Sequence, residues 1–302
     1  MKNRRAWIKR EIPLHVMILP GVIMLFIFNY IPLGGIIIAF QNFNPARGLF
    51  GDNPWIGLEN FEYVFSLPNT GRVFMNTLII AVLKIVIGTA VPIIVALLLN
   101  ECRNVAAKRT IQTMIYFPYF ISWIILSGVL VDILSPSDGL VNDVIKAFGG
   151  EPTYFLGDNK YFQGTLVVSD VWRNFGYNSV VYLAAITGID MALYEAASID
   201  GANRWQQTWH VTLPGMSTIV NLMVILNLGN LLNAGFDQVF NLYGPAVYET
   251  GDIIDTMVYR MGLEQAKFGP STAVGLLKSV VSFILISSAY LIAYKKFDYK
   301  VF

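Results

Sequence analysis

Glu195-Ala196-Ala197-Ser198-Ile199-Asp200-Gly201-Ala202, followed by Val211-Thr212-Leu213-Pro214, forms a short polar segment between two long apolar runs. Glu195 to Ile199 are mostly good helix formers, and Gly201 tolerates the backbone angles that reverse a chain. Residues 203–212 suit a second short helix, and Pro214 suits the first turn of the next one. Two short helices meeting at a glycine make a compact knob. Ala196, Ala197 and Ala202 allow close approach, while Trp205 and Trp209 offer broad apolar contact. The plain alternative is a surface loop.

The rest of the chain sets the solvent in which that knob sits. Of 302 residues, 55% are hydrophobic and 14% charged, and the mean hydropathy is +0.55, which places the chain among integral membrane proteins. A crossing needs about 20 apolar residues. Runs at 14–40, 76–99, 111–133, 165–189, 217–240 and 272–294 meet that length, so the expectation is an all-α integral membrane protein of six transmembrane helices. The implied organisation is a basic N-terminus at 1–13, a first span at 14–40, an external loop at 41–75, a core domain at 76–294 and a C-terminus at 295–302. Within the core lie the loop at 190–214 and an external amphipathic segment at 241–271.

Cations choose the orientation. Twelve of them (Lys2, Arg4, Arg5, Lys9, Arg10, Arg103, Lys108, Arg109, Arg204, Lys295, Lys296 and Lys300) fall on the side of the termini, against six on the other. The positive-inside rule places the termini in the cytosol of a plasma membrane, and parity places the 190–214 loop there too. The run from Leu14 to Phe40 is too long for a cleaved signal peptide, and its Pro20, Pro32, Gly34 and Gly35 suggest a kinked span. Cys102 is the single cysteine and excludes an intramolecular disulfide.

Two external stretches are more than connectors. Trp55 to Phe61, with Phe65, is aromatic and amphipathic and suits the membrane interface or a partner. Ile253, Ile254, Met257, Val258 and Met261 recur at helical spacing beside Asp252, Asp255 and Arg260, which reads as an amphipathic helix on the outer face.

Ionisable and amide groups at membrane depth are costly and mark packing or function. Asp170 and Arg173, three residues apart, are placed to pair on one helix face and stabilise packing. Asn178 and Tyr182 suit the hydroxyls and apolar ring face of a sugar, or hydrogen bonds between helices. Asn227, Asn230 and Asn233 share one drifting helix face, and for Asn227 and Asn230 helix packing and a translocation path fit equally. Lys278 lies close enough to a helix end to snorkel, whereas Lys84 has no such escape.

The Glu195 to Pro214 pattern resembles the signature loop of the permease subunits of ABC importers, with Val211 where isoleucine is usual and Thr208 where an aromatic residue often sits. Leu19-Pro20-Gly21, Tyr30-Ile31-Pro32, Asn42-Phe43-Asn44-Pro45, the Trp55 to Phe61 run and Asp255 to Gly262 are similar to the oligosaccharide branch, LplB-type and related to the maltose permeases. The resemblance implies the type I importer permease fold, with 190–214 as the coupling-helix loop that fits a cleft on a separate ATPase. It implies Glu195, Ala196, Ala197, Asp200, Gly201, Ala202, Leu213 and Pro214 as the coupling residues. In that reading Gly201 sets the turn, Glu195 offers a carboxylate to a basic group of the ATPase, and Asp200 holds the turn by hydrogen bonding to nearby backbone. It also implies a second permease, two cytosolic ATPase subunits and an external sugar-binding lipoprotein as partners.

No Gly-x-x-x-x-Gly-Lys-Ser/Thr loop occurs, so ATP and Mg belong to the partner ATPase and this chain carries no cofactor of its own. His15 and His210 form no metal-ligand pattern, no catalytic residue is expected, and nothing points to nucleic acid. The rival class is an ion-coupled secondary transporter using Asp170 and Asp237 as ion sites.

Overall fold

The computed structural model describes residues 2–49 and 51–297; the tail with Lys300, counted above among the cytosolic cations, lies outside the described residues. The described residues form helices and turns with one isolated bridge, between Gln41 and Trp55. Four helices are long and apolar enough to cross a membrane, and two further bent pairs bring the number up to six. The chain divides into two compact units, Met1–Leu67 with Val258–Leu276, and Pro68–Met257 with Leu277–Phe302.

In the first unit, helix α1 (Lys2–Leu25) runs into a π turn at Phe26–Tyr30 and then tightens to a 3-10 helix at Gly34–Phe40. Ile31 N–H reaches back five residues to Phe26 O immediately before Pro32, which has no N–H to give. The wide turn thus absorbs the proline, and the expected kink becomes a change of helical pitch. From Ile12 to Ile37 the apolar side chains face outward, as lipid contact requires. The following loop folds on itself: Phe40 stacks on Trp55 at 5.6 Å, and Asn60, at the start of α2 (Glu59–Ser66), donates to Ala39 O and Gln41 O at 2.9 and 3.1 Å. Trp55 and Phe65 remain 63% and 66% exposed, in keeping with an interfacial or partner-facing stretch.

The second unit is built on two long helices, α3 (Thr70–Glu101) and α6 (Asn159–Thr187). Between them come α4 (Val105–Tyr116) and α5 (Trp123–Ile133), which do not form the straight span expected at 111–133 but meet at 104°. The cause is local. Pro118 sits in the Phe117–Phe120 turn, Ile121 is extended, and Ser122 caps the new helix at Ile125 N. A second bend, of 68°, separates α6 from α7 (Met191–Ile199). Then α8 (Arg204–Leu228) runs for 25 residues, stops, and resumes as the short α9 (Phe236–Leu242). The expected span at 217–240 is therefore broken, and crossing length is reached by α8, which begins much earlier. The last long helix is α10 (Phe268–Phe297).

Two apolar clusters hold this unit. One gathers Ile80, Phe162, Leu166, Val239, Leu242 and Ile253; the other gathers Ala96, Tyr182, Ile186 and Met216. Ile253, Ile254 and Met257 are buried, so the apolar positions of the 241–271 segment in this unit pack inward, with a helix at Ile254–Tyr259. Its polar groups are used internally: Asn76 donates to Glu249 O and Asp252 O, and Lys278 pairs with Asp255 at 2.5 Å instead of snorkelling. The loops sort to two ends of the unit. Arg204 reaches Glu101 at 3.7 Å at one end, and Arg72 reaches Glu249 at 3.5 Å at the other.

Candidate functional site: a docking loop and an asparagine cavity

The 190–214 loop begins where Asp190 accepts from Ala192 N and caps α7. Helix α7 ends at Ile199, and Gly201, at φ +79°, closes it: Gly201 N–H bonds Ser198 O and Ala202 N–H bonds Ala197 O. This pairing is the glycine C-cap, a left-handed residue satisfying the last carbonyls. Asn203 and Gln206 then exchange hydrogen bonds with each other's backbone in a capping box that starts α8.

Glu195 and Asp200 are exposed, and neither carboxylate bonds another described residue. Asp200 does not hold the turn through its side chain as expected. That task falls to the backbone and to Gln207, which is buried and donates to Ser198 Oγ at 2.9 Å and Ala202 O at 3.2 Å. Ala196 is exposed, Ala197 and Ala202 are half-buried, and Leu213 packs on the Tyr182 cluster. Pro214 stands in the first turn of the α-helical stretch Leu213–Leu228, as expected. It lies inside α8, where Leu213 N–H reaches Thr208 O across a π turn at Thr208–Thr212, the same accommodation seen before Pro32. Above this frame stand Ile199 (87% exposed), Trp205 and Trp209, the two indoles meeting edge to face at 5.9 Å.

Farther along α8 the chain opens a cavity of about 240 Å³, lined by Lys84, Asp170, Asn174, Asn178, Asn227, Asn230 and Asn233 among others. Asn178, Asn227 and Asn230 are thus brought together, but Tyr182 is not: it is 2% exposed and buried beside Ala96, Ile186 and Met216. Asn230 and Asn233 lie in the break after α8, where Asn230 N–H bonds Asn227 O and Asn233 N–H bonds Asn230 O. Irregular backbone in a membrane protein is tolerated where it lines a cavity or is buried in protein.

The charged residues pair differently from the sequence expectation. Asp170 does not pair with Arg173. It lies 3.5 Å from Lys84, whose ammonium also donates to Ala234 O at 2.7 Å and to Gln238 Oε1. Arg173 instead forks onto Tyr119 O and Ile121 O at the α4–α5 bend, between the Tyr119 and Trp123 rings. Asp170, one of the two carboxylates an ion-coupled carrier would use, is therefore already partnered. Among the described residues no group of three or more His, Cys, Asp or Glu is placed to hold a metal ion.

Comparison with known proteins places this geometry. The family model for the inner membrane component of binding-protein-dependent transport systems matches residues 88–297. Over 98% of its length the chain is 41% identical to the polygalacturonan/rhamnogalacturonan transport system permease protein YteP of Bacillus subtilis (strain 168), of which it covers 92%. It is 40% identical to protein LplB of the same organism, over 97% of this chain and 92% of that one. Among solved structures it is similar to a chain of a bacterial ABC transporter involved in the import of the acidic polysaccharide alginate, with TM-score 0.88, 36% identity, and 97% and 99% of the two chains covered. A bacterial alginate ABC transporter in complex with an alginate pentasaccharide-bound periplasmic protein matches with TM-score 0.87 and 36% identity, covering 95% of this chain and 96% of that one.

Proposed function

The chain belongs to the family of binding-protein-dependent transport system inner membrane components, and on that premise we propose that it forms, with a second permease, the path of an oligosaccharide through the plasma membrane. It is a multi-pass, non-catalytic permease subunit of an ABC sugar importer, and ATP is handled by a separate ATPase subunit. The proposal adds that two copies of a cytosolic ATPase, with ATP and Mg bound, drive it, that an external sugar-binding lipoprotein delivers the substrate, and that both termini are cytosolic.

The observation that carries this reading is the sharing of α8 by two features. Its first turns present Trp205 and Trp209 beside the exposed Glu195 and Asp200, and its last turn presents Asn227 to the cavity. A docking knob and a polar wall on one helix suit the transfer of force from an ATPase to a substrate path. The cavity is also smaller than the roughly 300–1,000 Å³ of sites that enclose a small molecule. That size fits one wall of a path completed by a second permease.

The test is purification through this chain from native membranes, identification of what accompanies it, and reconstitution in liposomes. ATP-dependent uptake of labelled oligogalacturonate or alginate pentasaccharide by a complex containing an ATPase and a second permease is the expected result. Uptake by the chain alone on an ion gradient overturns it.

A further inference from the structure

We propose that Asp170 is a specificity residue of the cavity, a carboxylate that accepts hydrogen bonds from neighbouring hydroxyls of the sugar, with Lys84 as the positioning residue that holds it. This rests on the cavity being the oligosaccharide path.

An ammonium has three N–H donors and no acceptor. Lys84 commits them to Ala234 O, Gln238 Oε1 and Asp170 Oδ1. The first two tie α3 to the break after α8 and to α9, and Gln238 carries the tie onward by donating to Leu166 O and Ser169 Oγ of α6, each at 2.8 Å. Gly235 fits beneath this clamp at φ +94°, where a Cβ would stand 3.0 Å from Lys84 Nζ. The lysine is spent on the wall, which leaves no N–H to receive a substrate anion.

Asp170 is in the opposite position. A carboxylate offers about four lone-pair sites. Lys84 is its one partner among the described residues, touching Oδ1 alone at 3.5 Å, longer than the roughly 2.7–2.9 Å of a well-formed charge-assisted bond. Its side chain is 24% exposed and lines the cavity. The clamp has no need of it, because Ala234 O and Gln238 already anchor the ammonium. Burying an acid beside a base costs desolvation that a neutral residue would avoid. The surplus acceptor capacity instead meets the hydroxyl donors of a sugar, while the amides of Asn174, Asn178, Asn227 and Asn230 supply both donors and acceptors around it. Asp170 thereby selects a face bearing free hydroxyls and turns a uronate's own carboxylate away from this position.

The experiment uses the whole complex, with an oligogalacturonate pentamer and its O-methylated counterpart as probes. Asp170→Asn is expected to raise KM for uptake of the pentamer about ten- to a hundredfold, the loss expected for a hydrogen bond to a charged group. The native preference for the unmethylated probe should disappear. Native KM and native preference in that variant overturn the proposal. Should Asp170→Asn fail to assemble, Lys84→Met/Asp170→Asn removes both charges together; loss of preference in that double variant supports the proposal, and native preference or failed assembly overturns it. A native complex that takes up neither probe defeats the transport reading as well, whereas native uptake unchanged by the substitutions defeats this inference alone.

Discussion

Gly176 meets the backbone of Ile115 so closely that a Cβ in its place would lie 2.0 Å from the Ile115 carbonyl oxygen. This is where α4 crosses α6, and the obstacle is main chain, which cannot swing aside. Small residues at helix crossings are what let such backbones approach. Gly176→Ala should cost about 1–3 kcal/mol through overpacking. The purified complex should melt at a lower temperature and less of it should reach the membrane. Gly164→Ala, on the same helix with nothing within 4 Å, is the control that should change neither. Equal melting temperatures for the two variants would sink the argument.

Gly201 presents the reverse case. A side chain there would meet nothing within 4 Å, so only the positive φ opposes substitution. A left-handed non-glycine residue costs roughly 1–2 kcal/mol, asparagine least. Gly201→Asn should transport nearly normally. Gly201→Val should assemble in the membrane yet lose uptake while ATP hydrolysis continues, because the knob no longer keeps its shape. Both rates are measured on the same liposomes, and coupled native uptake by the valine variant would refute the role.

Trp205 and Trp209 are the broad exposed surfaces of the loop, 69% and 54% accessible. Aromatic anchors at protein interfaces often contribute about 2 kcal/mol or more, which corresponds to roughly thirtyfold in affinity. The double Trp205→Ala/Trp209→Ala permease should bind its ATPase at least that much more weakly in a titration of the detergent-solubilised pair. Native affinity would mean that the partner docks elsewhere.

Arg173 holds the 104° bend by giving two nitrogens to the Tyr119 and Ile121 carbonyls, which the turn between α4 and α5 leaves outside regular helix. A lysine carries the charge but not the planar fork. Arg173→Lys should lower stability by about 1.5–3 kcal/mol, the worth of a hydrogen bond from a charged donor to these half-buried carbonyls. Denaturation in mild detergent checks this, and a native midpoint would show that the bend stands without the fork.

These pairings also show what the chain discloses before it is folded. The loop was legible because its determinants are local: a glycine in the left-handed region, an alanine-rich helix before it and a proline after it. The apolar runs were legible because lipid demands length and composition. Asp170 was assigned to Arg173 because three residues along a helix is the only proximity a sequence displays, whereas Lys84 reaches it across helices. The break after Leu228 was hidden for another reason. Asparagines at 227, 230 and 233 recur every three residues, and that interval suits successive tight turns as well as one face of a helix. The capping box of Asn203 and Gln206 was missed although its signal is local, an asparagine followed three places later by glutamine. Tyr182 fell to the core because a polar tip says nothing of where its ring packs.

Because Trp209 and Asn227 are carried by one unbroken helix, their angular relation is geared. Each added residue between them would turn Asn227 by about 100° about the shaft and advance it by about 1.5 Å. A single alanine inserted near Val220 should therefore leave the docking of the ATPase intact and misdirect the sugar wall, so that the importer burns ATP while the cargo slips. Such a phase error, corrected by deleting one residue elsewhere between the two, would make α8 a driveshaft in the mechanical sense.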